Sequence, residues 1–532
     1  MNKKISISLL SLLLLACTTH AALRVTDLRT EQLKNPLGID IRHPRLGWRI
    51  ESDEQNVMQT AYHILVASSP ELLAQDKGDC WDSGKVKTDA SQWITYQGET
   101  LKRNTPYYWK VKVYTHTNET DWSEPASWSM GLLNEADWQG QWIGLDRPAP
   151  GDSETQWSRL AARYLRKEFA LAKEVKRATV HIAGMGLYEL FINGQRIGEQ
   201  VLAPAPTDYR KTILYNTYDV TPQLQKENAI GVILGNGRFY TMRQNYKPYK
   251  IPTFGYPKLR MNLIVEYTDG SKQTIASDIS WKLTTEGPIR SNNEYDGEEY
   301  DARKELGDWN RTGYDDTNWI SAQRVSIPSG TLRAQMMPGT KVTESLKPVS
   351  IRKQGGKHIL DIGQNMAGWL RIRIKGQAGD SIRLRFAERL QPDGEIFTKN
   401  LRDAHCTDIY VVSGREPQDA TWAPRFVYHG FRYVEISGYP NAKTEDFTAE
   451  VVDDEMAHTG TFTGSDETLN QVLRNAFWGI RSNYKGMPVD CPQRNERQPW
   501  LGDHAMGSWG ESLFFDNHAL YNKWTRDIRE AQ

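Results

Sequence analysis

The sequence predicts a multidomain, mainly β chain, with tandem β-sandwich domains giving way to helices only near the end. Three observations predict it. At 532 residues the chain is long enough for three or four domains, each able to bury a normal core. Aromatic and β-branched runs separated by turn residues recur up to about residue 454. Helical periodicity takes over only after Phe462. The 18 Trp and 24 Tyr fit such sandwiches, most of them as core, because flat rings pack between sheets as readily as on the apolar faces of sugars.

Residues 1–22 read as an export signal, since Lys3 and Lys4 precede an apolar run over 5–16 that is too short to span a membrane. Leu14-Leu15-Ala16-Cys17 resembles a bacterial lipobox. That resemblance implies Cys17 as the lipidated first residue of an exported protein, in the periplasm or at the outer membrane or cell surface; cleavage after Ala21 is the alternative. Residues 23–133 read as a fibronectin type III-like sandwich with strands at 62–66 and 107–114. Residues 138–333 form a second β-sandwich with a carbohydrate-binding role open, in which 187–192 leads into the hairpin turn Asn193-Gly194. A third sandwich over 334–454 alternates apolar and charged positions on strands such as 382–386. From 455 to 532 the pattern is helical. Leu469, Val472, Leu473, Ala476, Phe477 and Ile480 make one apolar stripe, with Ser465 as its N-cap. Met506, Trp509 and Leu513 begin a second stripe, and Leu520, Trp524 and Ile528 a third.

Charge excludes several partners. Sixty-six basic residues balance 66 acidic ones, so no basic field marks nucleic acid and no polybasic tract marks an anionic membrane; the only membrane contact expected is the lipid anchor. The 11 histidines are scattered, no His-Glu-x-x-His occurs and no cysteine pair has zinc spacing. No cofactor or metal is called for, with calcium in a β-module left open. Cys80, Cys406 and Cys491 are too few for a disulfide framework.

The densest chemistry lies between the first two helical stripes, in the stretch 490–503. It places Asp490, Glu496 and Asp503 with Arg494, Arg497 and Trp500 around two prolines, Pro492 and Pro499, which remove backbone donors and favour a loop. A carboxyl that donates a proton near neutral pH needs a raised pKa, yet Arg494 and Arg497 flank Glu496. The conflict is relieved if the arginines pair with Asp490, Asp503 or a sugar hydroxyl, leaving Glu496 against Trp500 or facing another carboxylate. A capping loop whose charges merely pair with each other is the other arrangement left open. A Cys491–His504 nucleophile lacks a third, orienting group.

These residues resemble a known family. Asp-Cys-Pro-Gln-Arg-x-Glu-Arg followed by Trp-x-Gly-Asp is similar to the active-site signature of bacterial α-L-rhamnosidases, inverting glycoside hydrolases with β-domains in front of a six-hairpin α/α barrel. Asn495 and Pro499 stand where the family usually has Asp and Gly. The similarity extends to Asp361-Ile362-Gly363-Gln364-Asn365 with Gly368-Trp369, and to His429-Gly430-Phe431-Arg432-Tyr433. The resemblance implies tandem β-sandwich domains followed by the first helices of such a barrel. It also implies Glu496 as general acid, a rhamnose pocket lined by Asp490, Arg494, Trp500 and Asp503, and a rhamnose-containing carbohydrate as substrate. Inversion needs a second carboxylate about 6.5–9.5 Å from the acid, which the resemblance places beyond Gln532. The expectation is therefore a fragment or shortened product that hydrolyses no rhamnoside on its own and exposes apolar helix surface. The alternatives are a non-catalytic carbohydrate-binding surface lipoprotein and a β-sandwich adhesin.

Overall fold

The computed structural model describes residues 23–116, 118–153, 159–241 and 253–532. The expected export signal over 1–22 and the expected lipidation site Cys17 lie outside them. The described residues form two units, one made of 23–35, 43–100 and 106–127, the other of the remaining described residues. In the first unit Gln59–Ala67 pairs antiparallel with both Trp81–Lys87 and Pro106–Thr115, and a second sheet joins Arg24–Thr30 to Arg45–Glu51. Trp48, Ile64, Val66, Trp109 and Val111 are fully buried. The Trp48 indole N–H is not wasted in this core, because it donates to Gln59 at 3.1 Å. A short helix, α1 (Pro70–Ala74), is capped by Ser69, with Pro70 in its first turn.

The second unit begins with two sheets of seven and six strands, whose facing aliphatic residues, Val180, Ile182, Leu190, Val232 and Leu263 among them, form one core. The Asn193-Gly194 hairpin is present: φ is +51° and +82°, and Phe191 and Ile192 pair with Arg196 and Gln195. A ten-stranded sheet follows, centred on the 17-residue strand Lys357–Arg373. Two strands from before residue 333 enter it. Ile289–Asn293 pairs with Gly297–Asp301, which runs parallel to Thr407–Val411. Parallel pairing across about a hundred residues leaves no mark in local periodicity. It sets Glu294, Tyr295 and Glu298 beside the later sheet.

Three helices end the chain: α2 (Glu467–Ser482), α3 (Leu501–Ser512) and α4 (His518–Ala531). Asp466 caps α2 rather than Ser465, its carboxylate accepting from Thr468 N at 2.8 Å and Leu469 N at 3.2 Å. From Asp466 the side chain reaches the two free amides of the first turn, and the helix starts one residue later than the apolar stripe suggests. The stripes are unequally covered. Leu520 and Trp524 of α4 are buried, whereas Met506 and Trp509 of α3 are 89% and 81% exposed, and Val472 of α2 is also exposed.

Candidate active site

The segment between α2 and α3 is a loop fastened at both ends and in the middle. At its start Arg481 binds Asp453 at 2.6 Å, and Gly486 N donates to both oxygens of the buried Asp454, which burial pushes up to about 6. In the middle, the loop lies directly on the sheet: a side chain at Gly430 would meet Pro492 Cγ at 2.8 Å and Gln493 Cβ at 2.9 Å, so only glycine admits this approach. Arg497 then locks the turn. It has φ +52°, is fully buried, and donates to the main-chain oxygens of Glu294 at 2.7 Å and Tyr428 at 3.0 Å while lying 4.5 Å from the Tyr428 ring centre. Its own carbonyl accepts from Arg238, which also binds Glu294.

This frame presents the carboxylate of Glu496, which is 7% exposed. Oε2 accepts from Arg494 Nε at 2.7 Å and from Arg402 at 2.9 Å; Oε1 accepts from the Trp500 indole at 3.1 Å. Burial pushes the carboxyl up, but Arg494, Trp500 and Arg402 together outweigh it and hold it below the usual range. Asp490 shares the same guanidinium, Arg494 NH2 to Oδ2 at 3.0 Å, and its Oδ1 accepts from Gln498 N at 2.7 Å. Here burial wins and the carboxyl is raised. The two acids on either side of one arginine are thus driven in opposite directions.

The structure brings four of the five expected pocket residues together. Glu496, Asp490, Arg494 and Trp500 are in contact through Arg494 and the indole; Asp503 is exposed in the first turn of α3. The arrangement expected to relieve the charge conflict forms in part: Arg497 leaves Glu496 for main-chain carbonyls, but Arg494 binds both Asp490 and Glu496. Sequence reasoning missed Arg402, Arg238 and Glu294. They come from loops up to 259 positions away, and nothing local marks them. His504 packs with Glu511 at 3.4 Å and edge-on to Trp524, inside the helices, so it is no partner of a Cys491 nucleophile. Burial pushes the Cys491 thiol up to about 12, leaving it protonated and unreactive.

Asp490, Cys491 and Glu496 have oxygen and sulfur atoms within 4.8 Å of one another, a spacing compatible with a metal ion. The Arg494 guanidinium already bridges the two carboxylates, and a protonated thiol is a poor ligand, so the residues do not fit a cation. The same spacing is shorter than the about 6.5–9.5 Å of an inverting acid/base pair, so Asp490 is not placed as the water-activating base.

Tandem β-sandwiches running into helices, with a carboxylate-bearing loop between α2 and α3, are the architecture that leads into the six-hairpin glycosidase class. Family models match in register along the chain: a Rha78A-like N-terminal immunoglobulin domain over 25–134, an α-L-rhamnosidase N-terminal domain over 173–344, a bacterial α-L-rhamnosidase concanavalin-like domain over 351–453 and a bacterial α-L-rhamnosidase 6 hairpin glycosidase domain over 457–532. An α-L-rhamnosidase of Formosa agariphila is 37% identical over 514 residues, covering 94% of this chain and 55% of its own length. One from Alteromonas sp. is 33% identical, covering 97% and 57%. The solved α-L-rhamnosidase of Dictyoglumus thermophilum superposes with a TM-score of 0.89 at 39% identity, over 96% of this chain and 57% of that one. That of Streptomyces avermitilis, complexed with L-rhamnose, gives 0.89 at 29% identity, over 96% and 65%. The chain belongs to the bacterial α-L-rhamnosidase family, and it spans just over half the length of the curated relatives it matches.

Proposed function

We propose that the protein hydrolyses terminal α-L-rhamnosyl linkages of poly- or oligosaccharides with inversion, and that Glu496 is the general acid protonating the leaving oxygen. One observation carries the reading: a nearly buried carboxylate is aimed by three converging donors, on a loop fixed to a rigid sheet. Held by two arginines, Glu496 is ionised when the site is empty. Substrate hydroxyls that take over the guanidinium hydrogen bonds would free Oε2, and a sugar ring over Trp500 would exclude water, both favouring the protonated form. Asp490, Arg494, Trp500 and Asp503 are assigned to sugar binding. Rhamnose as the sugar is supported by the L-rhamnose bound to the Streptomyces avermitilis relative. The base is a carboxylate other than Asp490.

The test uses the protein as its gene encodes it, with an aryl α-L-rhamnoside as substrate. The expected first product is β-L-rhamnose by NMR, and Glu496→Gln should lower kcat by at least about a hundredfold with the fold intact. Retained configuration would reject the mechanism. Unchanged activity in Glu496→Gln would reject the residue, and absence of turnover in the parent would favour the non-catalytic sugar-binding alternative. We also propose export as a lipoprotein through Cys17; mass spectrometry finding an unmodified mature N-terminus after Ala21 would reject it.

A further inference from the structure

A large cleft opens away from the Glu496 loop. It has a volume of about 1740 Å³ and runs between the second β-module, the ten-stranded sheet and α2. Neither Glu496 nor any of the three side chains that touch it lines this cleft. Its size exceeds the roughly 300–1,000 Å³ of small-molecule sites, which suits an extended ligand rather than a single small ring.

The walls have an unusual charge arrangement. On one side Glu189 accepts from Arg196 at 3.1 Å and from Arg425. On the other, Arg371 donates to Glu450 at 2.6 and 3.0 Å, and the Trp369 indole joins the same carboxylate at 2.6 Å. Near α2, Arg481 binds Asp453 and Glu344. Tyr300 and Tyr410 donate their hydroxyls to Glu305 and Glu416. These pairs are matched within the wall, so an ionic ligand would have to displace an existing partner there; Arg415, also on the lining and exposed, donates to the Arg303 carbonyl at 3.3 Å and stands outside those pairs. A neutral polyol would not. Its hydroxyls can add to the free lone pairs and N–H groups of planar pairs already held in place, and half-buried Phe477 and Trp478 offer apolar surface for ring C–H faces. Arg371 and Arg425 keep 40% and 37% of their side-chain surface open, enough to be reached.

We propose that this cleft is a second carbohydrate-binding site, taking a neutral oligosaccharide of several sugar units at a distance from the acid loop. It does not depend on Glu496 acting as an acid. The experiment is titration calorimetry of the protein as its gene encodes it, with linear hexasaccharides of rhamnose, glucose and xylose and with an oligogalacturonate of the same length. The expected result is saturable binding of at least one neutral hexasaccharide. That binding should weaken at least about tenfold in Arg371→Met and in Arg415→Ala, the latter an exposed position whose change leaves the wall pairs in place, and should be unaltered by Glu496→Gln. The proposal is overturned by tighter binding of the oligogalacturonate, by binding that persists in both cleft variants, by binding lost in Glu496→Gln, or by no saturable binding. Loss of turnover in Glu496→Gln with intact binding would separate this site from the catalytic reading.

Discussion

Glu496 is surrounded by more positive charge than a proton donor should tolerate, and Arg402 is the most separable part of it. Arg494 also serves Asp490, whereas Arg402 reaches the site from another loop and is 40% exposed. Replacing Arg402 with Gln removes a charge that lowers the Glu496 pKa. In the active protein the limb of the kcat/KM profile set by the acid should therefore move to higher pH; an unmoved limb would mean that Arg402 does not act on Glu496. A second residue, Glu298, sits fully buried behind the loop, accepting from the amides of Arg425 and Phe426. Burial, with Asp408 adding to it, pushes its carboxyl up to about 8. Folded, it keeps its proton at neutral pH; unfolded, it ionises near 4.5, so unfolding releases a proton between those values and stability falls as pH rises through them. Asp454, raised to about 6, adds the same sign over the lower part of the window. Glu298→Gln stays neutral throughout, so its melting temperature should vary less than the parent's between about pH 5 and pH 8. Glu496, Asp490, Arg494 and Trp500 were legible in the sequence because they crowd one short loop. Glu298, Arg402 and Arg238 were not, because each acquires meaning only through a partner far along the chain.

At the scale of elements, α2 aims the loop, since Arg481 near its end is tied to Asp453 and Glu344. Its start depends on Asp466. Asp466→Ala should cost about 1 kcal/mol by denaturant unfolding, whereas Ser465→Ala should cost a few tenths at most. Equal losses would make Ser465 the cap after all. Local chemistry made most elements legible: the Asn193-Gly194 hairpin, the strand Ser381–Ala387 and all three terminal helices follow from turn residues and periodicity. The swap of Ile289–Asn293 and Gly297–Asp301 into the later sheet was not legible. Strand character is written in side-chain alternation, but the choice of neighbour is made by tertiary packing.

Taken whole, the molecule has a well-filled β part and a helical part with an uncovered apolar face. Leu469, Val472, Met506, Trp509 and Leu513 are exposed, as expected from the stripes on α2 and α3, and Phe462 and Leu501 are exposed beside them. Clustered apolar surface promotes association. Changing Met506 and Trp509 together to Gln in this chain should leave its melting temperature nearly unchanged, because neither side chain is packed, and should reduce self-association in sedimentation velocity. A large drop in melting temperature would mean that the face is covered in solution. The bond from Arg238 to the Arg497 carbonyl, with Arg497 in turn gripping Glu294 and Tyr428, has a consequence for protein engineering. The helices and Glu496 are not a portable cassette: grafted onto the β-modules of a relative lacking those grips, the Glu496 carboxylate would lose its aim even if every residue of its own loop were preserved.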